Sequence, residues 1–418
     1  MSAIRISFDA FHKTTKTVLQ ALLIVAACLP ALVLANDESL PRFDGMDVFD
    51  LEWVSDPQVA PDGNTVVYIR RSNDIMSDRT RSQLWQIDAD GNNHRPLLST
   101  SLSTTGNASS PRWSPDGDQL AFISSATGSA QIHLRWMDNG DVAVVTHLQS
   151  SPSSLSWSPD GKWLAFTMNV KAPTETIVKP RPKPKGAKWA DKAVTVSTTR
   201  YQYDGRGIVA PSYRHIFIVP AEGGSARQLT SGNFNHGGPL SWSPDSERIF
   251  FSAYRQDDWE LVSDEADIYT IDIATRALTQ ITNEPGAERS PNVSPNGRML
   301  AFTHEERRPL AFTPDRIAVA NLDGSDMRII SNDLDGDARG LIWARDSKSI
   351  LYTYDERGER KVGQATLKGK LSEVAAGVGG TTVGRPYLSG GFHAANNTIV
   401  FSHGRVDRPA DLAIMKKG

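Results

Sequence analysis

A short turn signature returns along this chain about every 50 residues, and that repeat decides what the chain can fold into. It reads Val59-Ala60-Pro61-Asp62-Gly63, Trp113-Ser114-Pro115-Asp116-Gly117, Trp157-Ser158-Pro159-Asp160-Gly161, Trp242-Ser243-Pro244-Asp245, Val293-Ser294-Pro295-Asn296-Gly297 and Trp343-Ala344-Arg345-Asp346. Six residues beyond each Asp or Asn stands an aromatic: Tyr68, Phe122, Phe166, Phe251, Phe302 or Tyr352. A worn seventh copy keeps the frame around Ala395, with Phe392 before it and Phe401 after it. The anchors fall at 62, 116, 160, 245, 296, 346 and 395, with spacings of 54, 44, 85, 51, 50 and 49. One repeat of this size cannot bury both faces of its strands, whereas repeats stacked around a ring can.

The local chemistry points the same way. Proline presets φ for a turn, aspartate bonds to the turn backbone, and glycine takes the left-handed position of a twisted hairpin. The residues that follow, such as Leu120-Ala121-Phe122-Ile123 and Leu164-Ala165-Phe166-Thr167, have the character of buried strands. A second hairpin opens later in each repeat, at 84–87, 132–135, 216–219, 268–271, 317–320, 362–367 and 412–415. Turns such as Asp90-Gly91-Asn92, Glu222-Gly223-Gly224 and Asp323-Gly324-Ser325 send most of these back. Two hairpins per repeat make a four-stranded antiparallel blade. The expectation is an all-β, seven-bladed β-propeller whose last blade is one strand short, the chain stopping at Gly418 where the count calls for another strand.

The first 35 residues read as an export signal. Arg5, Lys13 and Lys16 precede an apolar run from Thr17 to Leu34, and Val33-Leu34-Ala35 is a small-residue cleavage site before Asn36-Asp37-Glu38. Pro30 interrupts the run, which argues against a membrane anchor. Cys28, the only cysteine, also sits in a lipoprotein-like box, but cleavage there would leave apolar Leu29 to Leu34 at the mature end. The expected product is a periplasmic or secreted chain of residues 36–418, without disulfides and without a membrane segment after cleavage. A net charge of −3 gives no footprint for nucleic acid.

The 85-residue gap between the third and fourth anchors carries an insert at about 170–212. Lys179-Pro180-Arg181-Pro182-Lys183-Pro184-Lys185-Gly186 alternates proline and cations and cannot bury a core, so it reads as a solvated loop or a contact for an acidic partner. The later Tyr201 to Gly207 portion holds two aromatics and is expected to be ordered. The nine histidines show no ligand spacing, and His236 and His403 read as satisfied turn residues. The Asp-Gly turns lack a calcium-loop series, so neither metal nor cofactor is expected. Asn107-Ala108-Ser109 and Asn396-Asn397-Thr398 match glycosylation acceptors, a pattern common by chance. No Gly-x-Ser-x-Gly elbow occurs anywhere, and no alternation of helices and strands could build an α/β-hydrolase sheet. No catalytic residue is therefore assigned.

Asp47-Val48-Phe49-Asp50-Leu51-Glu52-Trp53-Val54-Ser55-Asp56-Pro57-Gln58-Val59-Ala60-Pro61-Asp62-Gly63 resembles the start of the propeller in the prolyl oligopeptidase family of serine peptidases. Tyr203 to Gly207 followed by His215 to Val219, and Gly223 to Thr230, are similar to its acylaminoacyl-peptidase and bacterial dipeptidyl-peptidase branch. The Trp-Ser-Pro-Asp-Gly repeat is shared with TolB-like propellers. The resemblance covers roughly residues 44–418. It implies a propeller over an α/β-hydrolase domain whose Ser-Asp-His triad cleaves short peptides admitted by the ring. Within 1–418 that hydrolase domain is absent, so the chain is expected to be an inactive propeller portion, truncated before its catalytic domain. Some relatives hold the substrate's amino terminus with propeller carboxylates. Asp264-Glu265 is an acidic pair of that sort, without a motif match. A free-standing TolB-like periplasmic binding propeller is the alternative.

Overall fold

The computed structural model describes residues 43–98, 106–172, 181–190, 196, 198–262, 264–310, 312–380, 389–405 and 407–416. The export signal, Cys28 and Lys179-Pro180 of the basic run lie outside the described residues. The chain divides into two compact units, residues 1–50 and 51–418. In the first, Gly45–Phe49 forms a 3-10 turn that Asp44 caps.

The second unit is built from antiparallel meanders. Residues 52–96, 108–144, 152–228, 236–280 and 286–329 form five four-stranded sheets. Residues 339–378 form a sixth, which one bridge, Val378 to His403, links to the three strands of residues 392–416. Each group is called a blade, 1 to 7 in chain order. The inner strands are Glu52–Val59, Ala108–Trp113, Pro152–Trp157, His236–Trp242, Gly286–Val293, Arg339–Trp343 and Phe392–Ala395. Each touches the next in that order, and Phe392–Ala395 touches Glu52–Val59, so the ring closes. Among the described residues blade 7 has three strands.

Every anchor turn joins the first strand of a blade to the second. Its left-handed position is held at Gly63, Gly117, Gly161, Ser246, Gly297, Ser347 and Asn396, with φ between +51° and +83°. Asn396 places the worn seventh repeat in the same frame. The serine of the signature organises the turn: Ser158 Oγ donates to Asp160 Oδ1 at 2.6 Å and accepts from Trp163 N at 2.9 Å. At Asp116 and Asp245 the same serine hydrogen bond holds the carboxyl below its ordinary range.

The core lies between blades. Tyr68, Phe122, Phe166, Phe251, Phe302, Tyr352 and Phe401 are all buried, as the repeat requires of its aromatic position. Tryptophan does a second job. Trp113 Nε1 donates to Gln58 O (3.2 Å), Trp157 Nε1 to Arg112 O (3.0 Å) and Trp343 Nε1 to Asn292 O (2.8 Å), each reaching back to the preceding blade. An indole thus fills the seam and satisfies a carbonyl there.

The long insert lies between the second and third strands of blade 3, after Trp163–Lys171 and before Ser212–Pro220. Gln202–Tyr203 and Gly207–Ile208 pair as a small hairpin. Gly205 and Gly207 take φ of +71° and +65° at its turn. Residues 181–186 form no strand and are exposed.

Candidate functional site: the axial cavity and the loop face

Six inner strands carry a bulge at the same place. Asp56, Ser110, Ser154, Gly238, Ser290 and Gly340 adopt φ of +47° to +83°, and the ladder to the second strand slips beside each of them. Pro57, Pro111, Pro239 and Pro291 follow directly; a bulge has no ladder hydrogen bond for proline to lose. Residues of the inner strands and Arg214 bound a cavity of about 990 Å³ lined by Arg112, Trp113, Trp157, Arg214, Asn292 and His393, among others.

The charges in this cavity are unequal. Arg112 Nη1 lies 3.1 Å from both Asp56 oxygens, and Asp56 Oδ1 also accepts from Gln58 Nε2 at 2.9 Å. Arg214 donates from Nε to His236 O at 3.2 Å, and no carboxylate forms a salt bridge with it among the described residues. A Cβ at Gly237 would stand 2.7 Å from that Nε, so glycine makes room for the guanidinium. Burial and the Arg112 charge push His393 down to about 4. It is therefore a neutral ring at pH 7, matching its role as acceptor from Val59 N at 3.2 Å. The cavity offers one uncompensated cation, a neutral imidazole and apolar indole walls, a lining suited to polar or anionic groups on a small ligand.

Histidine contacts among the described residues run to carbonyls, Val59 N, Tyr68, Thr230, Glu288 and Arg255, and none joins a histidine to a serine. His236 and His403 are satisfied, but not in turns. His236 opens the inner strand of blade 4, fully buried, with Nδ1 against Arg214 O and Nε2 against Arg255; burial pushes it to about 3. His403 sits in the second strand of blade 7 with Nδ1 2.9 Å from Gly377 O. The acidic pair Asp264-Glu265 is already engaged. Glu265 Oε1 meets Arg307 at 2.9 Å and Oε2 accepts from Gly286 N at 3.0 Å, while Asp264 lies 3.8 Å from the same arginine.

Sequence reasoning missed a second polar node. Glu288, on the inner strand of blade 5, is fully buried; its Oε1 meets His304 Nδ1 at 2.6 Å and its Oε2 has no protein partner. Asp267 of blade 4 is pushed to about 6 by burial first and by Glu288 second. The signal lay in the register. Two residues before each bulge stand Val54, Ala108, Pro152, His236, Glu288 and Ala338, so only blades 4 and 5 bury an ionisable group there.

One face of the ring differs from the other. In a meander, the connections between second and third strands all lie at the end where the inner strands begin. Ten large apolar side chains are exposed on them: Ile75 and Met76 in blade 1, Trp189, Val196, Tyr201, Tyr203 and Ile208 in blade 3, Leu261 in blade 4, and Leu310 and Phe312 in blade 5. Elsewhere within residues 51–418 only Val144 and Leu278, on outer strands, are comparably exposed among the described residues.

Comparison with known proteins places this architecture. The TolB beta propeller domain family matches residues 98–267. Dipeptidyl-peptidase 5 of Porphyromonas gingivalis is 25% identical over 345 residues, 78% of this chain and 48% of the relative. Acylaminoacyl peptidase of Pyrococcus horikoshii superposes with a TM-score of 0.67 at 16% identity, covering 89% of this chain and 52% of that one. The β-propeller domain of the Trilobed protease from Pyrococcus furiosus gives 0.58 at 12% identity, over 88% of this chain and 95% of that domain. The chain spans about half the length of the dipeptidyl-peptidase and of the acylaminoacyl peptidase. Repeat, ring and sequence likeness together make the chain similar to the propeller portion of such peptidases.

Proposed function

We propose that the chain is the substrate-gating propeller of an exported serine oligopeptidase, a non-catalytic ring that works against an α/β-hydrolase domain. The observation that carries this reading is the loop face: ten exposed apolar side chains on one set of connections, in a ring related to peptidase propellers. A hydrolase seated on that face would be entered through or beside the ring, and a ring of fixed girth excludes folded proteins while passing short peptides. The peptide bond would be cleaved by acyl transfer through a serine of that domain. The purified chain, assayed on aminoacyl and dipeptidyl chromogenic substrates, is expected to show no turnover. Turnover abolished by a serine-directed inhibitor would overturn its non-catalytic role.

Export rests on the first 35 residues, and sequencing the amino terminus of protein recovered from the periplasm is expected to give Asn36-Asp37-Glu38. A start at Met1 or at Cys28 would remove that part of the proposal.

A free-standing TolB-like binding propeller is the second reading, favoured by the family match over residues 98–267. It predicts stable co-purification with envelope proteins and no functional partner carrying Gly-x-Ser-x-Gly. Reading the genomic DNA around the gene for such a hydrolase, in frame or adjacent, separates the two.

A further inference from the structure

Arginine stands twice at one register of the third strands. Arg214 lies opposite Asn169 in blade 3 and Arg360 opposite Asp355 in blade 6, each three residues before the partner of its anchor aromatic, Phe166 or Tyr352. In blade 6 the pair closes on itself: Arg360 Nε donates to Asp355 Oδ1 at 2.7 Å and Nη2 to Oδ2 at 3.0 Å. In blade 3 the opposite residue is an exposed, uncharged asparagine, which has no second carboxylate oxygen for such a fork. Among the described residues no other acid forms a salt bridge with Arg214 either. The same position thus holds a neutralised cation in one blade and a free charge in the other.

That free charge is held in place. Arg214 crosses the seam from the third strand of blade 3 to the inner strand of blade 4, where its Nε donates to His236 O at 3.2 Å. The next residue, Gly237, lies outside the left-handed region, so its own backbone does not require glycine. What requires it is the guanidinium: a Cβ on Gly237 would stand 2.9 Å from Arg214 Cζ and 3.1 Å from Nη2. Nη1 and Nη2 have no protein partner among the described residues, and Arg214 lines the axial cavity. Among those residues no Asp or Glu belongs to the cavity wall, Arg112 is engaged by Asp56, and Trp113, Leu155, Trp157 and Leu240 supply apolar surface. A positioned guanidinium without a counter-ion, in a pocket of about 990 Å³, is a site for an anionic group on a ligand small enough to enter.

We propose that Arg214 makes the axial cavity a carboxylate site, and that its ligand is the free C-terminus of a short peptide. Nη1 and Nη2 donate to the carboxylate oxygens, as Arg360 does to Asp355 within blade 6. The apolar wall takes the side chains of the last residues. That the ligand is a peptide rests on the oligopeptidase reading above; that it carries a carboxylate rests on the cavity alone.

The probes are N-acetyl-Ala-Phe-Ala with a free carboxylate, the same tripeptide as its C-terminal amide, and succinate, each titrated into the whole chain by calorimetry. Acetylation leaves the carboxylate as the peptide's only charge. The acid is expected to bind saturably, and the amide about tenfold more weakly, the difference a charge-assisted hydrogen bond makes. Arg214→Gln should bind acid and amide alike, at the level of the amide. Gly237→Ala crowds the guanidinium while leaving its charge, so it should weaken the acid alone, with an unchanged melting temperature showing that the ring is intact. Absence of saturable binding by the acid, equal binding of acid and amide, or an Arg214→Gln chain that still prefers the acid would overturn the carboxylate site and leave the gating reading standing. Succinate binding as tightly as the tripeptide acid, with the same dependence on Arg214, would overturn the peptide as ligand and count against the oligopeptidase reading instead.

Discussion

The seam between blades 2 and 3 and the seam between blades 7 and 1 do the same geometric job with different means. The first is broad. Ile123, Ile132, Leu134, Leu155, Trp157, Leu164, Phe166, Phe217 and Val219 are buried in one cluster, with Phe166 stacked on Phe217 at 5.6 Å. The chain itself runs from one blade into the next. The closing seam buries only Val59, Val66 and Val400 in its cluster, with Ile87, Ala395, Leu412 and Ile414 partly buried around them. Among the described residues no strand crosses it, because blade 1 is built from residues 52–96 and blade 7 from residues 392–416. Hydrogen bonds take over: Asn396 Nδ2 to Asp62 O and Thr398 Oγ1 to Gly63 O, both 2.9 Å, and Val59 N to His393 Nδ1. A ring opens first where connectivity does not assist burial, so its closing seam sets the local stability of the whole.

The largest expected effect probes the broad seam. Phe166→Ala removes a fully buried ring from a close-packed cluster and should cost about 3–5 kcal/mol, read as a fall in the denaturation midpoint. At the closing seam Val400→Ala, also fully buried, deletes two methyl groups and should cost about 2 kcal/mol. The distribution matters more than the sizes. Val400→Ala should speed amide exchange across both residues 52–69 and 392–416, whereas Phe166→Ala should leave exchange in 392–416 unchanged at low denaturant. If both variants loosen the same segments equally, the ring unfolds as one unit and the contrast between seams fails.

In contrast to His393 in the closing seam, whose depressed value favours the neutral ring, the seam between blades 4 and 5 adds a dependence on pH of the opposite sign. There Asp267, Glu288 and His304 meet, and Glu288 N also donates to Ala266 O across the seam. Burial and Glu288 raise Asp267 from 3.8 to about 6, so its favourable contribution is complete below about pH 4 and is lost as pH climbs through 6. The Glu288 hydrogen bond raises His304 above 6.5, so its contribution is present below that value and disappears as pH passes the raised one. Both signs agree: the melting temperature of the wild-type chain relative to a Glu288→Gln variant should fall between pH 4 and pH 8, by an amount equivalent to about 1–2 kcal/mol after solvent screening, a comparison that cancels the opposite trend from His236 and His393. A profile unchanged by that substitution would place the pH dependence elsewhere.

What could be read from the chain follows from how each feature is encoded. The anchor turns, their aromatics and the second hairpins were legible because each is a contiguous signature repeated at a near-constant interval, and even Asn396 keeps the frame. The bulges were not, since Asp56, Ser110, Ser154 and Ser290 reach left-handed φ without glycine, and nothing local distinguishes them from ordinary strand residues. Glu288 hides inside Gly286-Ala287-Glu288-Arg289-Ser290, which looks like a solvated loop until it is aligned with Ala108 and Ala338. His236 and His403 looked like turn residues because each adjoins glycine, yet both lie on strands. The reach of the Trp113, Trp157 and Trp343 indoles into the preceding blade is a contact between repeats, which a reading one repeat at a time does not see.

The smallest expected effect is the sharpest test of how the ring is closed. Thr398 is 4% exposed, and its hydroxyl satisfies Gly63 O at the turn that anchors blade 1. Thr398→Val keeps the shape and the β-branching but leaves that carbonyl without its donor, a change worth about 1 kcal/mol. Replacing the indole donor of the broad seam in Trp157→Phe likewise orphans Arg112 O, but there the surrounding cluster continues to hold the blades together. Thr398→Val should therefore increase cleavage by a nonspecific protease near residues 392–398 at temperatures well below melting, and Trp157→Phe should not do so near residues 152–157. Equal protection of both sites would mean that three small apolar side chains suffice to close the ring, and that the hydrogen bonds across it add nothing to its closure.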